Sequence, residues 1–266
     1  MQDAYNRHIN YLRISVTDRC NLRCRYCMPE EGLPLVKHDD IISFEEITSF
    51  VRSAVSYGIN KVRITGGEPL VRYDIVRLVE MLSAIGGIDD LSMTTNGLLL
   101  ARLALPLRQA GLRRVNVSLD TMDPVKYRQI TRTGNLEQVL AGIEAAEKAG
   151  LSPLKINCVV KNSRLEKDAV AVAAFAQQHG YQARFIREMD LGKGIFYQVD
   201  GGEGGKCSTC NRIRLTATGD VKPCLFNPAT YNIRQLGNEE ALLSAVRNKP
   251  ACGTMNKSGY FSAIGG

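Results

Sequence analysis

The chain has 266 residues, 44% of them hydrophobic and 23% charged, which excludes a fibrous or disordered polymer. No apolar run approaches the ~20 residues of a membrane span, and the opening "MQDAYNRHIN" lacks the apolar centre of a secretory signal, so the cytoplasm is the expected compartment and no membrane partner is expected. The formal charge of +7 favours an anionic partner such as a nucleotide or phosphate ester, but the basic residues are scattered, without the tract of a stable nucleic-acid-binding arm.

Short β-rich runs alternate with amphipathic helical ones from residue 11 to about 188. "YLRISV" is the first predicted strand, and a helix over 44–57 follows, with Ser43 and Glu46 spaced as a capping box. "KVRIT" precedes a helix over 73–84, and "LSMTT" precedes one over 98–110 that stops at Gly111. "RRVNVSL" opens the fourth unit. Its main helix carries Leu136, Val139, Leu140, Ile143 and Ala146 on one face and ends at Gly150. "LKINCVV" with a helix over 165–179 forms the fifth unit, and "QARFIRE" is the sixth strand. Six β-then-α units predict a parallel sheet with helical crossovers, either doubly wound and open or a partial barrel. In a barrel, the segment after the first strand lies at the C-terminal mouth, where such folds place their chemistry. Beyond about residue 191 the chain turns glycine-rich, then gives two short strands joined by a Thr-Gly-Asp turn in "RIRLTATGDVKPCLF", and a helix over 238–247.

Eight cysteines in an intracellular chain point to metal or redox chemistry rather than disulfides. Cys20, Cys24 and Cys27 form C-x3-C-x2-C; Cys207, Cys210 and Cys224 form C-x2-C-x13-C. Cys158, in the apolar run "KINCVV", reads as a buried small hydrophobe. Structural zinc closes with four ligands, and a cubane iron–sulfur cluster ordinarily takes four thiolates. Three thiolates leave one iron open to a small molecule. A distorted zinc site remains the other reading of each triplet, with Cys252 as a fourth ligand of the second.

C-x3-C-x2-C after a first strand, with "GGEP" at 66–69 after the second, resembles the radical S-adenosylmethionine (SAM) enzymes. "RISVTDRCNLRCRYCMP", "VRITGGEPLVRYD", "TTNGLLL", "VNVSLDT", "CSTCNRIRL", "KPCLF" and the terminal "IGG" narrow the resemblance to the GTP 3′,8-cyclases, which open molybdenum cofactor biosynthesis. The resemblance implies an α/β fold, a partial (β/α)6 TIM-like barrel over 1–190, with a C-terminal extension over 191–266 carrying a second cysteine cluster. It implies a [4Fe–4S] cluster on Cys20, Cys24 and Cys27, with SAM on its open iron. Tyr26, Gly66, Gly67, Glu68, Ser118 and Met189 match cofactor contacts. A second [4Fe–4S] cluster falls on Cys207, Cys210 and Cys224, where the guanine of GTP would bind. Arg13, Lys61, Arg63, Thr94, Lys155, Arg212 and Arg214 match substrate contacts, and arginine forks suit a triphosphate. Since Arg13, Lys61 and Arg63 lie on alternating strands, not all are expected to face inward. Arg212 and Arg214, with the first three cysteines, are the expected catalytic set. The implied chemistry removes hydrogen from ribose C3′ and joins that carbon to guanine C8. Gly265 and Gly266 match a family tail that enters the active site.

An electron donor such as flavodoxin or ferredoxin, the next enzyme of the molybdenum cofactor pathway, and a monomer or homodimer complete the expectations. The chain departs from the family before Cys207, where several tens of residues are missing, which predicts a more open mouth. It departs also at "FIRE", where Arg187 and Glu188 replace an acidic and an apolar residue. Two other readings stand beside this one: a two-cluster radical enzyme for a peptide or another nucleotide, and a zinc-bearing nucleic-acid-binding module.

Overall fold

The computed structural model describes residues 1–257; the Gly265–Gly266 tail lies outside the described residues. Six strands run parallel and in chain order: β1 (Tyr11–Ser15), β2 (Lys61–Thr65), β3 (Asp90–Thr95), β4 (Arg114–Ser118), β5 (Lys155–Val160) and β6 (Gln182–Arg187). Helices cross between them: α1 (Phe44–Ser56), α2 (Ile75–Ser83), α3 (Leu100–Gln109), α4 (Pro124–Thr131), α5 (Leu136–Lys148) and α6 (Lys167–Gln178). The architecture is the partial barrel rather than the doubly wound sheet, and its edges stay open at β6 and at the far end of the extension. The sequence reading had no helix over Pro124–Thr131, a short element with Asp123 as its N-cap, accepting from the amides of Val125 and Lys126. The capping box of α1 forms both ways: the Glu46 amide donates to Ser43 Oγ at 3.1 Å and the Ser43 amide to Glu46 Oε2 at 2.7 Å.

Two-residue periodicity sorts each strand into two faces. Leu12, Ile14, Val62, Ile64, Leu91, Met93, Val115, Val117, Ile156 and Cys158 pack under the helices and are almost wholly buried. Cys158 is therefore core, as its apolar neighbours predicted. The intervening residues face the barrel interior, and there the sequence is polar: Tyr11, Arg13, Lys61, Arg63, Thr94, Arg114, Ser118, Asn157 and Arg184 line one cavity. Lys61 and Arg63 stand two apart and therefore share a face, and register aligns Arg13 with Arg63. All three point inward, correcting the expectation that they would divide between faces.

The chain after Leu191 continues the same sheet. β7 (Arg212–Leu215) pairs parallel to β1 on the side opposite β2, with Tyr11 beside Arg212 and Arg13 beside Arg214. β8 (Asp220–Lys222) and β9 (Tyr231–Asn232) add antiparallel strands, followed by α7 (Ile233–Leu236) and α8 (Asn238–Arg247). Ile213, Leu215, Val221, Ala241 and Leu242 belong to the barrel's own apolar core. Residues 191–206, the shortened stretch, lie along the free edge of β6. The amides of Phe185 and Asp200 exchange bonds at 2.9 and 3.0 Å. Gly201, at φ +76°, sits where a Cβ would come within 2.6 Å of the Ala183 carbonyl. The mouth is thus walled where the missing residues predicted an opening: Phe196, Tyr197, Val199 and Gly204 all line the cavity.

Candidate active site

A cavity of about 750 Å3 occupies the C-terminal mouth of the barrel and reaches from one cysteine set to the other. Cys20, Cys24 and Cys27 line one part and Cys207, Cys210 and Cys224 another, with Tyr26, Gly66, Gly67, Glu68, Ser118, Met189, Thr94, Arg13, Lys61, Arg63, Arg212 and Arg214 between them. Lys155 is not on the wall. It stands on the same face of β5 as Asn157 and Val159, where burial and the charges of Arg184, Arg114 and Arg63 push its ammonium down to about 8.

The loop 20–27 is pinned from two sides. The amides of Arg23 and Arg25 donate to the carbonyls of Thr131 and Ile130 at the end of α4, at 3.1 and 3.0 Å. Arg132, at φ +64°, donates from Nη1 to the Arg23 carbonyl and, at 3.2 Å, to that of Met28. On the other side the Gly67 amide donates to the Thr17 carbonyl and the Glu68 amide to the Arg19 carbonyl, both at 2.8 Å. A Cβ on Gly67 would stand 2.3 Å from the Arg19 carbonyl oxygen. The glycine pair of "GGEP" therefore joins the loop after β2 to the cysteine loop, a close backbone approach within the protein itself.

Behind the first thiols lie two carboxylates. Glu68 is 1% exposed, and burial lifts it to about 7 against three donors: Thr95 Oγ1 at 2.7 Å, the Asn96 amide at 2.7 Å and the Leu70 amide at 3.0 Å. Asp120 accepts from the Tyr26 hydroxyl at 2.7 Å and from the Val159 amide at 2.8 Å, and burial lifts it to about 6. Tyr26, held by that bond, is itself pushed well above the usual phenol range by burial and then by Asp120. Asp120 was not among the residues singled out from the sequence; its only signal was its place just past the β4 strand end in "VSLDT".

Asp120 yields a pH prediction with a definite sign. Its pKa in the fold, about 6, exceeds the ordinary 3.8, so between those values the folded chain binds more protons than the unfolded one. Stability contributed at this site therefore falls as pH rises through that window, by about 3 kcal/mol at pH 7. Asp120→Asn removes the charge and keeps the acceptor facing the Val159 amide, while its Nδ2 can only donate to the Tyr26 hydroxyl, which reverses that bond. Relative to wild type, the cluster-free variant is expected to gain about 3 kcal/mol of stability between pH 4 and pH 7.5. Urea unfolding at the two pH values measures it; a pH-independent difference would refute the assignment.

Cationic side chains gather at the opposite end. Arg13, Arg63, Arg114, Arg184, Arg212, Arg214 and Lys249 all line the cavity, while Asp90, paired with Arg114 (Nε to Oδ1 2.9 Å), Glu203 and Glu188 are the carboxylates of that wall. Burial, then mutual repulsion with Arg214, Arg63 and Arg212, pushes Arg13 well below its usual range. Arg214 is held down to about 10 by burial and then by Arg212. Thr94 Oγ1, Tyr11 OH and Arg184 Nε are buried on this wall without a hydrogen-bond partner. Crowded cations and unfilled donors together fit a polyanion. Arg114 and Arg184 were missed from sequence, although each occupies an inward position in its strand.

The second thiol set is built by buried cations. Lys249 is 3% exposed and donates from Nζ to the carbonyls of Arg212 and Pro223, both at 2.7 Å, tying the residues that follow Cys210 to the one before Cys224. Burial raises the Cys210 thiol, but Lys249 and Arg212 outweigh it and leave the group lowered to about 7. At the first set burial dominates and pushes the Cys20 and Cys24 thiols up. Among the described residues no three Cys, His, Asp or Glu side chains converge on one ion. Three thiols facing a cavity are one short of a closed zinc site and fit a cubane with one open iron.

Residues 14–176 match the profile of the Radical SAM superfamily. A GTP 3′,8-cyclase of Moorella thermoacetica is 41% identical over 294 aligned positions, covering 92% of this chain and 91% of that protein. One from Alkaliphilus oremlandii is 40% identical over 292 positions, covering 94% and 88%. Both alignments run longer than the 266-residue chain, so the relatives carry residues that this chain lacks. In fold alone, the chain resembles Streptococcus suis SuiB bound to precursor peptide SuiA, at TM-score 0.70 and 16% identity, over 92% of this chain and 66% of that one. It also resembles anSMEcpe with bound AdoMet, at TM-score 0.62 and 16% identity, over 90% and 81%. No helix among the described residues is long and apolar enough to cross a membrane.

Proposed function

Because the chain belongs to the Radical SAM superfamily and, within it, to the GTP 3′,8-cyclases, we propose that this cavity converts GTP to 3′,8-cyclo-7,8-dihydro-GTP through two clusters, one on each thiol set. The chain uses SAM and iron–sulfur chemistry by family. When bound, the cluster and SAM together supply a 5′-deoxyadenosyl radical; the rest is the work of the side chains.

Cys20, Cys24 and Cys27 would hold the first cluster. Tyr26, fixed through Asp120, offers the adenine a ring that cannot swing, and Glu68 offers an anion to the ammonium of SAM. Arg13, Arg63, Arg184 and Arg214, brought together by the register of β1, β2, β6 and β7, bind and orient the triphosphate. Cys207, Cys210 and Cys224 would hold the second cluster beside guanine, where Arg212 and Lys249 offset thiolate charge. The 191–206 wall covers one side of the mouth and would shield a radical there from solvent. Flavodoxin or ferredoxin supplies the electron, and the next enzyme of the molybdenum cofactor pathway takes the product; the chain acts as a monomer or homodimer.

The observation that carries this reading is a single cavity with thiol triplets along its wall and unsatisfied cationic and hydroxyl donors between them. Reconstituted protein is incubated anaerobically with GTP, SAM and dithionite. The expected result is 3′,8-cyclo-7,8-dihydro-GTP with 5′-deoxyadenosine formation stimulated by GTP. Formation of 5′-deoxyadenosine without any response to GTP would exclude GTP as the substrate.

A further inference from the structure

Cys252 belongs to neither triplet, yet it does not stand alone. Its thiol donates to the sulfur of Cys207 at 3.3 Å, and its side chain is exposed to solvent. The contact joins residues 45 positions apart and is held by a buried clamp. Arg7 Nη1 donates to the carbonyls of both Cys207 (2.9 Å) and Ala251 (3.0 Å), while Nη2 donates to that of Pro250 (2.7 Å). Asp3 fixes the guanidinium from behind at 2.6 Å, the two side chains being 5% and 0% exposed. One guanidinium thus fastens the Cys207 turn to the residue preceding Cys252. On the other flank, a Cβ on Gly253 would meet Cys224 Sγ at 3.3 Å, so residues 251–254 run directly against the thiol set.

Two sulfurs at that separation do not fit two different corners of one cubane, where each thiolate serves its own iron. Cys252 is therefore not placed as a fourth ligand. The pair is placed for something else. We propose that Cys207 and Cys252 close into a disulfide whenever the C-terminal thiol set is without its cluster, a reversible lock on Cys207 that rests on its reading as a cluster ligand.

The chemistry balances with a low-molecular-weight disulfide such as oxidised glutathione. The exposed Cys252 thiolate attacks one glutathione sulfur, the glutathione S–S bond breaks, and one glutathione leaves as the thiol. The Cys207 thiolate then attacks Cys252 Sγ of the mixed disulfide, and the second glutathione leaves. Two electrons pass from the cysteine pair to glutathione, and the two protons leave with the released thiols. Closure needs the sulfurs to approach by roughly 1.2 Å, to the ~2.05 Å of a bond, a movement available to an exposed side chain. The lock keeps Cys207 from irreversible oxidation to the sulfinic level, and a reducing thiol reopens the set for iron.

Trypsin cleaves after Lys206, Arg212, Arg247 and Lys257, so the disulfide joins peptide 207–212 to peptide 248–257. The reconstituted full-length protein is treated anaerobically with oxidised glutathione, with and without an iron chelator, alkylated and mapped by mass spectrometry. Loss of iron from the C-terminal set is expected to convert most of peptide 207–212 into the linked pair, with fragmentation placing the bond on Cys207. The cluster-loaded sample should show no link, and Cys252→Ser, outside the cofactor and substrate machinery, should abolish it while turning over GTP like wild type. A Cys207–Cys210 disulfide within peptide 207–212, a bond from Cys210 to Cys252, or a glutathione adduct stopping at Cys252 would overturn the proposal. The link forming while iron is retained would instead remove Cys207 from the ligand set, a failure of the cluster reading that the separate GTP assay detects independently.

Discussion

Cys24→Ala is expected to reduce 5′-deoxyadenosine formation to the level seen without protein, with or without GTP, while leaving about half of the bound iron and sulfide in place. Cys24 lies between Cys20 and Cys27 on a loop whose backbone is bonded to the end of α4 on one side and to Gly67 and Glu68 on the other. The anchoring does not pass through the Cys24 side chain, so the variant should fold. What it loses is one thiolate of three, and two thiolates do not retain a cubane. The second set lies on different elements, the turn between Lys206 and β7 and the loop after β8, and is braced by Arg7 and Lys249. Its iron should survive at about four per chain. Iron and sulfide analysis beside chromatography of the nucleosides makes the measurement. Residual cleavage of SAM would show that the first set is not where the cofactor reacts; loss of all iron would show that the two sets are not independent.

Arg214→Met addresses the cationic end, and stability is expected to rise while affinity for GTP falls. Arg214 is 8% exposed and lies beside Arg13 across the β1–β7 ladder, with Arg212 two residues before it. Like charges opposed across a sheet destabilise it, and here burial and Arg212 already hold the Arg214 guanidinium down to about 10. Replacing Arg214 with an apolar chain of similar length should therefore raise the melting temperature of the ligand-free protein. On the proposed role of Arg214, the same change removes charge-assisted bonds to phosphate, each worth roughly 1.5–3 kcal/mol. The KM for GTP should rise about tenfold to a hundredfold, while uncoupled cleavage of SAM stays near the wild-type rate. Inorganic triphosphate should stabilise wild type and lose most of that effect in the variant, by the linkage of ligand binding to folding. Calorimetry with and without triphosphate is decisive: a variant less stable than wild type, yet still stabilised by triphosphate, would place the anion elsewhere.

The elements of the barrel were legible because each is a local matter. Strand and helix periodicity, the Ser43–Glu46 box and the glycine stops at Gly111 and Gly150 depend on neighbours within a few residues. α4 escaped because Pro124–Thr131 buries only Tyr127 and Thr131, too few apolar positions to show a period. The cysteine triplets, the "GGEP" glycines and the arginine pair after Cys210 could be picked out because their meaning lies in residue type and spacing. Asp120, Arg114 and Arg184 have no spacing of their own; they matter through a strand register that no single strand states. The shortened segment before Cys207 predicted an open mouth, whereas the edge of β6 offered unpaired backbone groups that the segment took up at Asp200.

By itself the sequence determined which atoms are present and in what rhythm: sets of three thiols, each one short of a closed metal site, on a scaffold of alternating strands and helices. Those are properties of adjacent residues, and adjacency is all a sequence displays. Only the tertiary structure decided that Arg13, Arg63, Arg184 and Arg214 share one wall, that Tyr26 is steered by a carboxylate 94 residues away, and that Cys252 rests on Cys207. Each of those pairings is set by sheet register and by buried hydrogen bonds between distant segments, and the energy that fixes them exists only once the core has closed.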